Sequence, residues 1–385
     1  MELTRTYRSP WLDEELDDVR QLARTFFEKE SVPNQERWAK EHQVDREYWN
    51  AAGDAGLLCI AIPTEFGGGG GTFAHEAVVM EEQAAAGDDA FGYSVHSTIV
   101  APYIMKYGTQ EQKEKWLPKL ATGELVGAIA MTEPGAGSDL QALRTSARLD
   151  GDEYVVNGSK TFITNGTHAD LIIVVVRTGE EEGGKGLSLL VIETDGLAGF
   201  ERGRVLEKLG MPGQDTRELF FSDMRVPKEN ILGGEEGQAF LQLMEQLPQE
   251  RLIIAVAAAK GAELAIDRTV EYAKERQAFG RELMKFQNTR FVLAECATQA
   301  RAVRTLVDHC IELHLKGELD AQSASMAKWF STDQQCQIID RCLQIFGGYG
   351  YMLEYPIARA YAAARVQKIY GGTNEIMKEL IARTL

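Results

Sequence analysis

The chain has 385 residues, of which 44% are hydrophobic and 26% are charged, and its formal net charge is −17. This length predicts two or three domains or one large composite body, and the composition is typical of a globular protein. The acidic balance and the lack of a Lys/Arg run argue against nucleic-acid binding. No apolar stretch approaches the roughly 20 residues that a membrane span needs, so we expect none.

The N-terminus, Met1–Arg5, lacks the basic-then-apolar pattern of a signal peptide. The five cysteines are odd in number, scattered and mostly inside apolar helical stretches. They predict free thiols in a reducing compartment, and we therefore expect a cytoplasmic protein.

The first zone of the chain, residues 1–121, has helical periodicity. Apolar residues between Leu12 and Phe27 recur at helical spacing. Further helices fit residues 45–56, 72–88, 91–107 and 109–121. This zone is predicted to be an N-terminal helical domain.

The second zone, residues 122–235, changes to the period of strands. Predicted strands cover Leu125–Ala130, Leu171–Arg177, Leu187–Glu193 and Arg217–Phe221. The segment Glu153–Thr164 predicts a hairpin, because Asn157-Gly158 can supply the positive φ angles of a tight turn. A middle β domain of barrel-like form is the simplest account.

The third zone, residues 236–385, returns to long helices. Candidate helices span residues 238–275, 284–316, 320–346, 355–365 and 374–383, and their apolar stripes suit an antiparallel bundle. The predicted fold class is therefore mainly α with a β insert, in which the first and third zones form one helical body.

Two segments combine residues that can carry chemistry. Thr132–Asp139 follows an apolar strand and offers backbone N–H groups and hydroxyls that can bind a polar ring edge or a phosphate, although a tight structural turn would look alike. Leu247–Leu252 places Glu250 and Arg251 in an otherwise apolar helix. A buried carboxyl has a raised pKa that suits a general base, but an internal ion pair that stabilises the bundle fits as well.

Three glycine-containing turns lie between the helices of the third zone. They are Arg276–Arg281, Phe346–Tyr351 and Tyr370–Glu375. An arginine at a helix end can bind phosphate, and glycine permits close backbone approach to a flat ligand, but helix capping and turn chemistry would select the same residues. The six histidines show no metal-ligand spacing, so we expect no metal site.

The order of these motifs is more specific than any one of them. Thr132–Asp139, Asn157–Asn165, Arg276–Gly280, Phe346–Gly350 and Ile369–Glu375 together resemble the acyl-CoA dehydrogenase flavoprotein family, and the match runs through almost the whole chain. The resemblance implies an N-terminal helical domain, a middle β domain and a C-terminal four-helix bundle. It also implies FAD, an acyl-CoA substrate, a homotetramer built as a dimer of dimers, and an electron-transfer flavoprotein as electron acceptor.

The position of the catalytic base distinguishes branches of this family. Many members carry a glutamate directly after the tyrosine of a Tyr-Glu-Gly-Thr turn, whereas here Gly371 follows Tyr370. The long-chain and isovaleryl branches place the base on a bundle helix before an arginine, which matches Glu250 before Arg251. The chain is most similar to the long-chain branch. This resemblance implies conversion of medium- or long-chain straight acyl-CoA to trans-2-enoyl-CoA. It also implies that Glu250 abstracts the α-proton and that flavin N5 accepts the β-hydride.

Three alternatives to this function stay open from the sequence. The first is an isovaleryl- or other branched-chain acyl-CoA dehydrogenase, which shares the base position. The second is an acyl-CoA oxidase of the same fold, and the third is a helical scaffold that has lost its flavin.

The resemblance also assigns binding residues by position. The implied cofactor residues are Ile129, Ala130, Met131, Thr132, Gly137, Ser138, Phe162, Ile163, Thr164, Arg276, Phe279, Gln287, Gln344, Ile345, Gly347, Gly348, Thr373, Asn374 and Glu375. The implied substrate residues are Ser138, Leu241, Arg251, Gly371 and Gly372. Arg276, Gln287 and the Gln344–Gly348 turn would reach FAD across a subunit interface.

Four positions bear on specificity or depart from the family pattern. Phe162 stands where members often have tryptophan, and either ring can stack on a flavin. Chain-length selection is expected near Leu241 and Tyr93. Ala363 stands where relatives commonly carry an aspartate, so whatever that carboxylate does is lost here.

Overall fold

The computed structural model describes residues 7–181 and 183–385, so the Met1–Arg5 segment considered above lies outside the described residues. The N-terminal helices are α1 (Glu14–Phe26), α2 (Gln35–Glu41), α3 (Arg46–Asp54), α4 (Phe73–Ala86), α5 (Tyr93–Val95), α6 (Ala101–Tyr107) and α7 (Gln110–Ala121). Single π-helical turns follow α1 and join α5 to α6. The four predicted helices after α1 are confirmed with small shifts of their ends, whereas α2 was not predicted.

The middle of the chain forms one curled seven-stranded sheet. Its strands are β1 (Gly127–Ala130), β2 (Ser146–Asp150), β3 (Glu153–Thr164), β4 (Leu171–Arg177), β5 (Leu187–Glu193), β6 (Phe200–Val205) and β7 (Thr216–Pro227). The strand order is β1-β4-β2-β3-β7-β6, and β5 pairs with β4. The mainly α fold class with a β insert is thereby confirmed.

The predicted hairpin within Glu153–Thr164 is wrong. These residues form the single strand β3, and the chain turns before it, at Gly151, where φ is 69°. Asn157 and Gly158 lie instead at an irregularity in the pairing of β3 with β7. A side chain at Gly158 would collide with Thr145, whose Oγ1 lies 2.6 Å from the position of a Cβ atom. Glycine is therefore required here by close packing at a bulge, not by a turn.

The C-terminal part contains α8 (Ala239–Glu275), α9 (Gln287–Leu315), α10 (Ala321–Phe346), α11 (Pro356–Gln367) and α12 (Asn374–Ala382), with a two-stranded ribbon between α8 and α9, β8 (Gln277–Ala278) and β9 (Arg281–Glu282). The five predicted helices are confirmed, and α8 continues through Pro248. One apolar core contains residues of both helical zones, among them Trp38, Trp49, Val256 and Val307. The two zones therefore form one helical body, while the predicted domain boundaries at 121 and 235 stay a prediction.

A buried group of charges joins the two helical zones. Arg304 on α9 donates to both carboxylate oxygens of Glu263 on α8, at 2.8 and 3.0 Å, and to Glu81 on α4, at 2.6 Å. Arg20 on α1 binds Glu81 from the other side at 3.0 Å. Each of these carboxylates therefore has a cation in a region that excludes water.

Candidate active site

A continuous cavity of about 970 Å³ lies where the N-terminal helices, the middle sheet and the C-terminal helices meet. The middle sheet contributes the turn around Ser138 and the end of β3. Helix α8 contributes one face, which includes Glu250, and the turn Tyr370–Gly372 closes another side. All three parts of the chain are therefore needed to form the site.

Glu250 is a buried carboxyl group in the wall of this cavity. Only 6% of the residue is exposed, and the hydroxyl of Tyr103 on α6 donates to Oε1 at 2.8 Å. Burial raises the pKa of Glu250 to about 7, against the opposing effects of the Tyr103 hydrogen bond and the Arg251 charge. A carboxyl group that is partly ionised at neutral pH is suited to act as a general base.

Arg251, the next residue on α8, also lines the cavity and is buried. One guanidinium nitrogen donates to the Ser325 hydroxyl at 3.4 Å, and Nε has no hydrogen-bond partner among the residues that the structure describes. A buried donor without a partner is costly unless a ligand satisfies it. Arg251 can therefore contact a polar group of a ligand.

The turn after β1 is held in place by a buried ion pair. Lys160 on β3, which is fully buried, donates to the Glu133 carboxylate at 2.9 Å and to the Met131 carbonyl at 3.0 Å. Burial raises the pKa of Glu133, but the hydrogen bonds from Lys160 and Thr145 together bring it below its ordinary value. This network fixes the turn so that Ser138 remains exposed in the cavity.

Phe162 is an aromatic side chain that the sheet holds out into the cavity. It is 67% exposed, its φ angle is 62°, and it lies at the irregularity between Lys160 and Ile163 where β3 pairs with β7. A positive φ is costly for a bulky residue, and such strain is found at functional sites. An exposed ring beside an open turn of hydroxyls and backbone amides fits a flat heteroaromatic cofactor.

Many of the predicted site residues meet in this cavity. They are Ile129, Met131, Thr132, Gly137, Ser138, Phe162, Ile163, Thr164, Glu250, Arg251, Gly371 and Gly372. Ala130 does not line the cavity, because side chains alternate along β1 and that of Ala130 packs in the sheet core. Ala363, at the position of the missing aspartate, also lines the cavity.

Four predicted site residues of the C-terminal part, one near the start of α8 and three at the start of α12, lie outside the cavity lining. Leu241 is 58% exposed and precedes Met244, at which the cavity face of α8 begins. Thr373 caps α12 by accepting a hydrogen bond from the Ile376 amide, and Glu375 is exposed. Asn374 is buried against α10, where it accepts a hydrogen bond from Lys328.

Tyr93, expected near the chain-length pocket, is also outside the lining. Its ring is fully buried and its hydroxyl donates to Glu76. The adjacent residues Ser94 and Val95 form the cavity wall in its place.

A second group of predicted cofactor residues lies elsewhere, where α8 and α10 end. Arg276, Ile345, Gly347 and Gly348 line a separate open pocket of about 550 Å³. Phe279 nearby is 96% exposed, and Gln287 and Gln344 are exposed as well. The predicted cofactor residues thus form two separate groups.

The structure adds residues that the sequence analysis missed. Tyr103, the hydrogen-bond donor to Glu250, lies 147 positions before it. Gln335 on α10 and Arg268 on α8 also line the cavity. No local motif marks these residues, because they meet the site only through tertiary packing.

The fold and the site together fit an oxidoreductase that holds a flat cofactor beside a buried carboxyl group. Three family models match the chain: acyl-CoA dehydrogenase N-terminal domain at residues 13–124, middle domain at 128–224 and C-terminal domain at 237–385. The chain therefore belongs to the acyl-CoA dehydrogenase family and is an FAD-dependent oxidoreductase that dehydrogenates acyl-CoA. This confirms the family, the cofactor and the enzyme class expected from the sequence.

Individual relatives agree on the family and differ in the acyl group. The mouse long-chain specific acyl-CoA dehydrogenase, mitochondrial, is 50% identical over 96% of this chain and 86% of its own. The crystal structure of an acyl-CoA dehydrogenase from Geobacillus kaustophilus is 48% identical with a TM-score of 0.96, covering 98% of this chain and 99% of that one. Isobutyryl-CoA dehydrogenase, mitochondrial, of Dictyostelium discoideum is 35% identical over 97% of this chain and 90% of its own.

Among the helices of the described residues, none combines the length and apolarity needed to cross a bilayer. The same residues contain no group of three or more His, Cys, Asp or Glu side chains placed to hold a metal ion.

Proposed function

We propose that this chain dehydrogenates medium- or long-chain straight acyl-CoA at the α,β position to give trans-2-enoyl-CoA. The observation that carries the proposal is Glu250, a buried carboxyl group with a pKa of about 7 in the wall of a long cavity. The α-proton of a thioester is weakly acidic, so its removal needs a positioned base whose pKa lies near the working pH. The adjacent apolar wall, which includes Ile253, Ile254 and Ala257, suits an alkyl chain.

FAD, when bound, supplies flavin N5 as the acceptor of the hydride that leaves the β-carbon of the substrate. In this chain the turn from Met131 to Ser138 and the strand end Phe162–Thr164 would hold its ring system. Glu250 takes the α-proton, and the packed helices around it exclude water. Ser138, Arg251 and the Gly371-Gly372 turn would contact the acyl-CoA.

The proposal is tested by anaerobic titration of the purified yellow protein with acyl-CoAs of different chain length and branching. Loss of flavin absorbance on adding long straight chains is the expected result. Bleaching only by short branched chains would assign the chain to a branched-chain enzyme, which the Dictyostelium relative represents. Bleaching by none of them would overturn the proposal. In a separate assay in air, peroxide formation without an added acceptor would indicate an oxidase.

The second group of residues supports a proposed assembly. Arg276, Phe279 and Gln344 lie on an outer face with other exposed side chains, including Tyr351 and Leu353. An exposed apolar surface of this kind marks an interface. We therefore propose a homotetramer in which this face completes the cofactor site of a neighbouring subunit, with an electron-transfer flavoprotein as electron acceptor. The cytoplasmic location stays a prediction.

Replacing Tyr103 with phenylalanine is expected to move the pH dependence of the reaction. The lost hydrogen bond stabilises the ionised form of Glu250, so the pKa of Glu250 rises further above about 7. Because the carboxylate is the active form, activity falls as pH falls through this pKa, and the acidic limb of the profile shifts to higher pH. For a rise of about one pKa unit, the ionised fraction at pH 7 falls from about one half to about one eleventh, so we expect a loss of about fivefold at pH 7 and near-normal activity at high pH.

The measurement is the pH profile of kcat/KM. The control is Tyr107→Phe, which removes the neighbouring hydroxyl that binds Glu245 instead. An equal loss of activity at every pH would show that Tyr103 has only a structural role.

Replacing Phe162 with alanine is expected to weaken FAD binding by roughly five- to tenfold, because a stacked aromatic contact contributes about 1 kcal/mol. Alanine experiences the same backbone strain at φ 62°, so the comparison isolates the ring. The measurement is FAD titration into the apoprotein. Phe220→Ala, which removes a partly exposed ring from β7 outside the cavity lining, is the control, and equal affinity in both variants would contradict the prediction.

A further inference from the structure

The cavity follows α8 for most of its length. Residues of this helix spaced three or four apart line it from Met244, past Glu250, Ala257, Gly261 and Leu264, to Arg268. At 1.5 Å per residue, position 268 lies about 27 Å along the helix from position 250. The substrate carbons that react must lie at Glu250, so the longer arm of the cavity runs from there toward Arg268.

The wall of this arm is mainly apolar, with the Gln335 side chain opposite Gly261, and its far end carries two arginine side chains among acidic ones. Arg268 and Arg359 both line that end. Burial of Arg268 lowers its pKa most, and the nearby charge of Arg359 lowers it further. Arg268 donates to the Ala85 carbonyl, at 3.5 Å, and Arg359 donates to the carbonyls of Leu353 and Glu354. Within the described residues, neither guanidinium has a carboxylate within 4.0 Å.

Among the described residues, four acidic side chains lie near this end without forming an ion pair with Arg268, although the charge of Glu271 acts to raise the pKa of Arg268. They are Glu36, Asp88, Asp89 and Glu271. The Asp88 carboxylate accepts hydrogen bonds from two hydroxyls and two backbone amides, and Glu36 and Glu271 are exposed. Burial and the Asp88 charge raise the pKa of Asp89 to about 6, while its nearby cations are Arg359 and Lys208. At position 363 helix α11 brings only an alanine to the wall.

We propose that Arg268, supported by Arg359, binds a carboxylate at the ω-end of the acyl chain, so that ω-carboxyacyl-CoAs, the monothioesters of long-chain dicarboxylic acids, are substrates. The inference rests on the proposed function, since it names a substrate class for the same site. A guanidinium presents paired donors that match a carboxylate, and a partly buried cation that forms no ion pair with any described residue favours such a partner.

The length of the arm selects the length of the substrate. A zigzag carbon chain advances about 1.3 Å per bond, and the Glu250 and Arg268 side chains occupy part of the 27 Å span, so chains on the order of 14 to 16 carbons fit. A shorter ω-carboxyl chain would leave its carboxylate in the apolar arm without a partner, which is costly.

The test compares kcat/KM of the FAD-loaded enzyme for hexadecanedioyl-CoA against palmitoyl-CoA, and for octanedioyl-CoA against octanoyl-CoA. We expect the long pair to agree within about threefold, because Arg268 offsets desolvation of the carboxylate, and the short dicarboxylyl ester to fall at least about tenfold below its partner. If both dicarboxylyl esters are equally poor, the inference is wrong. If palmitoyl-CoA itself is not oxidised, the proposed function fails with it.

Arg268→Gln is expected to lower the ratio of the hexadecanedioyl-CoA rate constant to the palmitoyl-CoA one by about tenfold, because the charged hydrogen bond is lost. Arg148→Gln, which changes an exposed arginine on β2, is the control and should leave the ratio unchanged. FAD content is read from the visible spectrum of each variant. Loss of FAD, or an equal loss with both substrates, would show that Arg268 serves the cofactor or the fold and would overturn the assignment.

Discussion

Replacing Glu250 with glutamine is expected to reduce turnover by about 10³- to 10⁴-fold, because the glutamine amide cannot accept the α-proton. Glutamine keeps the size of the side chain and can still accept the hydrogen bond that Tyr103 donates to Oε1. The protein should therefore fold and retain FAD. The measurement is the rate of flavin reduction by palmitoyl-CoA in a stopped-flow experiment without oxygen, which observes the chemical step alone.

Glu245→Gln is the matched control for this experiment. Glu245 lies on the same helix, one and a half turns before Glu250, but it is exposed and pairs with Lys106. We expect its rate of reduction to stay within about twofold of the wild type, as is usual for an exposed ion pair. A Glu250→Gln variant that retains a substantial part of the wild-type rate would show that the base lies elsewhere.

The positions of the helices could be predicted because their determinants are local. Thr109, for example, caps α7 through Gln112, and both residues are adjacent in the sequence to the helix that they start. The hairpin prediction failed because the same Asn-Gly pair that makes a turn also suits a bulge, and the choice between them depends on β7, about 60 residues later. Pairing between distant strands leaves no local pattern.

The candidate site likewise contains residues that the sequence could reveal and residues that it could not. Glu250 was found because a charged pair in an apolar helix is unusual, and the family resemblance then decided between a base and an ion pair. Tyr103 and Arg268 were missed, because a tyrosine and an arginine on amphipathic helices look ordinary until tertiary packing places them in one cavity. Leu241 lies outside the cavity lining, and its contact with substrate stays a prediction, since helical periodicity alone does not show where along α8 the cavity begins.

Replacing Arg304 with methionine is expected to lower the free energy of unfolding by about 3 to 5 kcal/mol, since it leaves Glu81 and Glu263 buried without their shared cation. Methionine retains apolar volume, so the effect reports mainly on charge. The measurement is the urea midpoint of the FAD-loaded protein at pH 7. Arg225→Met, which removes an exposed arginine paired with Asp150 and Glu153, is the control and should change stability by less than about 1 kcal/mol.

The pH dependence of this loss separates charge from packing. Burial raises the pKa of Glu81, but the Arg304 and Arg20 charges bring it down to about 2. A depressed carboxyl pKa stabilises the fold above the unfolded value of about 4.5, and this contribution disappears as pH falls toward 2. The difference between wild type and Arg304→Met should therefore be largest at neutral pH and narrow below about pH 4.5. Adding Glu263→Gln to the variant should recover part of the loss at pH 7, because it removes one unpaired charge. A difference that stays constant with pH would mean that Arg304 stabilises the helical body by packing alone.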